Sequence, residues 1–175
     1  MLQIRCTTKA QKELGIDESE LEEAKPADSL LGNWYLNLVT IDQRKTYIFV
    51  NEKTLLSFII FGLKKNNASK AHEMLLRGLH QLFTLEGIGS GKINQILEEY
   101  LSYQFTKATN KSVIGNMNSL VASYKHAILG EGGFKNVEAG KIILQINRSP
   151  QKMLEWSFPI EIAKELLESE SQKIT

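Results

Sequence analysis

Between residues 31 and 62 the chain reads LGNWYLNLVTIDQRKTYIFVNEKTLLSFIIFG, and its large side chains fall into two alternating runs. Trp34, Leu36 and Leu38 alternate with Tyr35, Asn37 and Val39, and Tyr47, Phe49 and Asn51 alternate with Ile48 and Val50. A period of two is that of a β-strand, because successive side chains leave a strand on opposite faces. The polar stretch IDQRK between the runs has the length of a loop. The pattern therefore predicts an antiparallel hairpin that turns within residues 42–45 and buries Trp34 on one face. Residues 54–61, TLLSFIIF, form a third apolar run and fit a strand buried on both faces. Near the start, Leu2, Ile4 and Cys6 alternate with Gln3 and Arg5, which predicts a short strand.

Elsewhere the period lengthens. Thr7 or Thr8 is placed to cap a helix over residues 9–14, and Gly15 stands where a helix needs a left-handed residue to stop. Residues 17–28 are acidic, contain Pro26, and read as a surface connection with one helical turn at 18–23. From 69 to 85, Ala71, Leu75, Leu79, Leu82 and Phe83 share one side of a helix, with Lys70, Glu73, Arg77 and Gln81 opposite. The glycines of GIGSG at 87–91 end it, and a second helix over 90–104 turns Ile93, Ile96, Leu97, Tyr100 and Leu101 inward, giving an antiparallel pair. Residues 105–110 suit a brief strand or a turn. A third helix over 116–129 aligns Met117, Leu120, Val121, Tyr124 and Ile128. KIILQIN at 141–147 reads as a strand closed by Pro150, and residues 153–158 as an edge strand. Pro159 suits the first position of a last helix, with residues 169–175 a frayed tail. The sum is a single α+β domain, with a mainly antiparallel sheet of about four to six strands and a layer of three to four helices.

Composition narrows the class without naming a chemistry. With 175 residues, 42% hydrophobic and 23% charged, the chain is long enough to bury one core. Lys and Arg total 21 against 20 Asp and Glu, so no global field draws the chain to nucleic acid or anionic lipid. The single cysteine, Cys6, excludes an internal disulfide. No apolar run approaches the ~18 residues of a membrane span, and the first residues lack the apolar core of a secretory signal. The expected location is the cytoplasm.

Motifs for familiar chemistry are incomplete. GSGK at 89–92 ends like a phosphate loop, but Glu86 stands where the first glycine belongs and Ile93 where Ser or Thr belongs. His72 and His80 lie eight residues apart, roughly 12 Å along a helix, too far to share a metal. His126 has no partner beside it, so neither a metal nor a cofactor is expected. Cys6 fits a buried small hydrophobe. The basic run Lys64, Lys65 and Lys70 fits a solvated face, since the 90–104 helix carries Glu98 and Glu99 and is no recognition helix for nucleic acid.

What remains is a polar set at strand ends and a helix start: Arg5, Asn37, Asn51, Glu52, Lys111, Ser112, Asn116, Asn118, Asn147 and Arg148. Most have structural explanations: Asn116 as a helix cap, Asn51 and Asn147 as turn residues. If strand ends and helix start converge, they make a pocket for an anion or nucleotide-like ligand, charged by Arg5, Arg148 and Lys111, with Glu52 as the candidate acid or base.

Several phrases, IRCT, LGNWYLNL, FVNEKTLL, KSVIGNMNSL, and INRSP followed by FPIE, resemble in order an uncharacterised family of small bacterial proteins known as a domain of unknown function. The likeness spans residues 2–167. In that family the stretch corresponding to NMNSL often carries Asp where this chain has Ser119, so a role of that carboxylate would be missing here. The resemblance implies a bacterial, intracellular, single-domain protein and no particular activity. The reading favoured by the residues is a non-catalytic binding or regulatory protein with a polar pocket for a small anionic ligand, or with a protein partner or a second copy of itself. The alternatives are a small hydrolase or nucleotide-processing enzyme using Glu52, Arg5, Asn116 and Arg148, and a component of a mobile-element or toxin and antitoxin system.

Overall fold

Asp42 and Gln43 both take left-handed backbone angles, with φ of 47° and 62°, and Ile41 and Arg44 pair directly on either side of them. Two consecutive left-handed residues make the turn whose twist matches that of paired strands. In the computed structural model, which describes residues 1–171, this turn joins β2 (Trp34–Ile41) to β3 (Arg44–Asn51) as expected. The other strands are β1 (Leu2–Cys6), β4 (Ser57–Phe61) and β5 (Tyr103–Lys107), and the sheet order is β4-β3-β2-β1-β5. The hairpin is antiparallel to itself and to β4, but β1 runs parallel to both β2 and β5. The fold is α+β with a mixed sheet.

Among the described residues there are six α-helices: α1 (Thr8–Leu14), α2 (Ala68–Leu85), α3 (Ser90–Glu99), α4 (Lys111–Gly130), α5 (Ala139–Asn147) and α6 (Pro159–Ser171). They cover both faces of the sheet, where the sequence suggested one. Leu2, Ile4, Cys6, Trp34, Leu36, Phe49 and Phe58 face a core shared with α1, α2, α3 and α6. On the opposite face Tyr35, Ile48, Val50 and Ile59 pack against α4 and α5. Strand alternation decides both sets, since each strand sends every second side chain to each core.

Thr7 caps α1 by accepting the Ala10 amide, and Gly15 ends it at φ 70°. Residues 141–147 are helical, not extended. A short apolar run fits either period, and here Ile142 and Ile146, four apart, both enter the second core, the spacing of one helix face. Residues 153–158 form no edge strand, because a short helical turn, Lys152–Leu154, is followed by left-handed Glu155 and Trp156. Helix α3 stops at Glu99 so that Tyr103–Lys107 can join β1 as an edge strand. Helix α4 starts at Lys111, capped by Asn110, whose side chain accepts the amides of Ser112 and Val113. Residues 172–175 of the expected frayed tail lie outside the described residues.

Candidate functional site

On β1, Leu2, Ile4 and Cys6 point into the first core, so Gln3 and Arg5 point to the opposite face. There the acidic connection between α1 and β2 crosses them. Gln3 donates to the Glu23 carbonyl at 2.9 Å and accepts the Lys25 amide at 2.9 Å, and Arg5 Nη2 donates to the Lys25 carbonyl at 2.8 Å. Further along, the Glu22 amide donates to the Phe105 carbonyl on the outer side of β5 at 2.9 Å. The segment is thus a strap laid over the polar face of β1 and the edge of β5.

Beneath it Arg5 meets Glu52. Their side chains are 12% and 16% exposed, and Nη1 lies 3.6 Å from Glu52 Oε2, an ion pair longer than a hydrogen bond. Glu52 Oε1 accepts the Asn33 amide at 3.0 Å, which fixes the carboxylate at the end of β3. Arg5 Nη1 has a long contact of 3.4 Å to the Tyr35 hydroxyl, and the guanidinium lies 5.7 Å from the Tyr35 ring centre. Arg5 Nε has no partner. Thr106, fully buried and paired in register with Arg5 on β5, has an unpartnered Oγ1, and buried Asn33, bonded to both Gln3 and Glu52, has an unpartnered Nδ2. Of the four unpartnered buried polar atoms found among the described side chains, three therefore belong to Arg5, to its register partner Thr106 and to Asn33, whose main-chain amide Glu52 accepts.

The remaining residues of the polar set do not join Arg5 and Glu52. Asn37, on the same face of β2, accepts from Thr7 Oγ1 at 2.7 Å and from the Leu38 amide, tying β2 to the start of α1. Asn51 is fully buried and builds the turn after β3, donating to the Leu31 carbonyl and accepting from Lys53, Thr54 and the Thr54 hydroxyl. Arg148 grips Glu86 with Nε and Nη2, each at 3.0 Å, at the end of α2. Asn116 lies inside α4 and caps nothing; its amide donates to the Ser112 carbonyl and meets the Met153 sulfur. Lys111, Ser112 and Asn118 are exposed on that helix. GSGK forms the turn into α3, with Gly89 as its cap residue. Cys6 is fully buried, and burial pushes its thiol far above the ordinary range, as suits a packing residue. Among the described residues no group of three His, Cys, Asp or Glu side chains is placed to hold a metal ion, and no helix is long and apolar enough to cross a membrane.

A second surface lies at the start of α4. Met153, Trp156 and Phe158 are 49%, 64% and 40% exposed, and Ser112 Oγ reaches the Met153 sulfur at 3.8 Å. Reading 153–158 as a strand hid this loop, and three large apolar residues within six were its signal. Tyr35, Asn33 and Thr106 were also missed, because pairing across strands is what makes them neighbours of Arg5.

Residues 3–162 match the family model described as domain of unknown function DUF6933. The chain belongs to that family. No curated protein and no solved structure matches it. The DUF6933 match takes in Arg5, Asn33, Tyr35, Glu52 and Thr106 as well as the apolar loop, and it ends inside α6.

Proposed function

We propose that this DUF6933 member is a non-catalytic binding protein of the bacterial cytoplasm, regulatory in character, whose ligand site is the polar face around Arg5 and Glu52. One observation carries this reading: a nearly buried guanidinium that makes one good hydrogen bond, with Oγ1 of its register partner Thr106 and Nδ2 of Asn33 likewise unpartnered. A folded protein leaves few buried polar groups unpaired, because each costs about 1–3 kcal/mol. A cluster of them is suited to receive a partner atom from outside the chain. The carboxylate of Glu52 is held by Arg5 and the Asn33 amide, while Arg148 is committed to Glu86 and Asn116 to α4, which separates the groups an enzyme reading would combine. Thermal unfolding against a panel of charged and neutral small molecules tests the reading. At least one should raise the melting temperature saturably without being consumed, and Arg5→Gln should abolish the rise. A panel without effect, or turnover that needs Glu52, would sink it.

The exposed loop favours a protein partner as a second reading. Large apolar side chains grouped on one surface mark interaction sites, and Trp156 is held outward by a turn with left-handed Glu155 and Trp156. Crosslinking and size-exclusion chromatography of the wild type and Trp156→Ser test it. Loss of an oligomer or captured partner in the variant supports the reading, and identical profiles with no partner in either refute it.

A further inference from the structure

Resting on the small-ligand reading of the Arg5 site, we infer that the ligand is an oxyanion, a carboxylate or a phosphate, bound under the strap by Arg5 Nε with Thr106 Oγ1 and Asn33 Nδ2. The argument is one of donors and acceptors. Arginine carries five N–H donors and cannot lose its charge in a protein. Of Arg5's donors, Nη2 meets the Lys25 carbonyl at 2.8 Å, Nη1 makes a 3.4 Å contact with the Tyr35 hydroxyl, and Nε meets nothing. Asn33 Nδ2 is a donor, and Thr106 Oγ1 has a hydroxyl proton to give. All three atoms can donate, and the nearest carboxylate oxygen, Glu52 Oε2 at 3.6 Å, does not hydrogen-bond Arg5. The Nε edge of a guanidinium, Nε together with Nη2, donates parallel hydrogen bonds to two oxygens of one planar or tetrahedral anion, the strongest arrangement open to it.

Glu52 is the built-in competitor. At 3.6 Å it neutralises Arg5 without hydrogen-bonding it, so an entering oxyanion gains bonds that Glu52 does not make and meets its repulsion. The strap supplies the route. Residues 22–26 are exposed, and Lys25 is held from below at two points, its amide donating to Gln3 and its carbonyl accepting from Arg5 Nη2. Release of those contacts would open Nη2 to the same anion.

Calorimetric titration with inorganic phosphate, succinate and neutral acetamide, at constant ionic strength held with sodium chloride, tests the inference. Phosphate or succinate should saturate a single site, and whichever does identifies the source of the oxyanion, while acetamide should not bind. Glu52→Gln removes the competing charge and keeps the acceptor for Asn33, so it should tighten binding by about fivefold at least, since even in bulk water one charge about 4 Å away has that effect and burial enlarges it. Thr106→Val, which keeps the shape of a buried side chain, should weaken binding by about tenfold, as loss of one hydrogen bond to a charged group does. Weaker binding in Glu52→Gln, or unchanged binding in Thr106→Val, overturns the inference. Binding by a neutral member of the wider panel with none by either anion overturns it and leaves the binding function standing. Silence from every compound removes both.

Discussion

The side-chain amide of Asn147 pairs with both main-chain groups of Ser57: the Ser57 amide donates to Oδ1 at 2.9 Å, and Nδ2 donates to the Ser57 carbonyl at 2.7 Å. An outer strand leaves such groups unpaired, an invitation to aggregation that proteins blunt by covering the edge. Here α5 lies beside β4 and its last residue stands in for a neighbouring strand. Both residues are fully buried, and the Ser57 hydroxyl is 2.9 Å from that of Tyr124. Asn147→Ala strands two main-chain groups away from water, so urea unfolding should show a loss of about 2–4 kcal/mol. Asn147→Asp should also destabilise, since a carboxylate accepts from the Ser57 amide but has nothing to donate to its carbonyl.

Two buried tyrosines, Tyr100 and Tyr47, separate a hydroxyl that is used from one that is not. Tyr100 accepts from Trp34 Nε1 at 3.1 Å and donates to the Gly32 carbonyl at 2.7 Å, while Tyr47, equally enclosed, has an unpartnered hydroxyl. Burial, with Glu13 and Cys6 adding to it, pushes the Tyr47 phenol up to about 12. Tyr100→Phe should cost about 1–3 kcal/mol and Tyr47→Phe roughly nothing, or gain a few tenths, because deleting an unpaired buried hydroxyl removes a desolvation cost. Equal losses in chemical denaturation would show that Tyr47 has a partner in solution.

The hairpin, the cap at Thr7, the stop at Gly15 and the proline start of α6 were legible because each is a local device written in a few adjacent residues. KIILQIN was not, since four apolar residues in seven satisfy strand and helix alike, and only the sheet edge that Asn147 closes makes the helix the better answer. Of the polar set, Arg5 and Glu52 do meet, though they stand 47 residues apart in the sequence. Their companions Asn33 and Thr106 were invisible, because the parallel pairing of β1 with both β2 and β5 leaves no local mark. Asn51, Asn116 and Arg148 were placed in the set by residue type, and each is taken up by a turn, a helix or an ion pair elsewhere.

His72 gives the fold a pH dependence. It is 9% exposed, stacked at 3.7 Å on the Tyr103 ring, and its Nε2 lies 2.8 Å from the Tyr100 carbonyl, which requires the proton on that nitrogen in the neutral ring. Burial lowers its pKa below the ordinary 6.5, and the carbonyl bond opposes this in part. The unfolded chain therefore takes up this proton at a higher pH than the folded one. As pH falls below about 6.5, protonation favours the unfolded state and stability drops; above that value His72 contributes no slope. Comparing urea midpoints across pH 5 to 8 for the wild type and His72→Gln checks this, and the variant should lose the decline between 6.5 and the onset of carboxylate titration.

Two helical glycines should respond in opposite directions to the same methyl group. Alanine outranks glycine inside a helix by about 0.5–1 kcal/mol, through backbone entropy, so the local term favours both substitutions. At Gly115 of α4 a Cβ would meet nothing within 4 Å, and the local term acts alone. At Gly78 of α2 a Cβ would stand 2.4 Å from Phe58 Cε2 and 2.8 Å from two more ring carbons. Phe58 has little room to retreat, since its ring packs at 5.7 Å from that of Trp34 and 5.3 Å from that of Phe49, all three in the first core. Overpacking of this kind costs about 1–3 kcal/mol and exceeds the propensity gain. Calorimetry should find Gly115→Ala melting about 1–4 °C higher and Gly78→Ala several degrees lower. Adding Phe58→Leu to Gly78→Ala should cost less than Phe58→Leu costs alone, because the smaller side chain vacates the space that the methyl group fills.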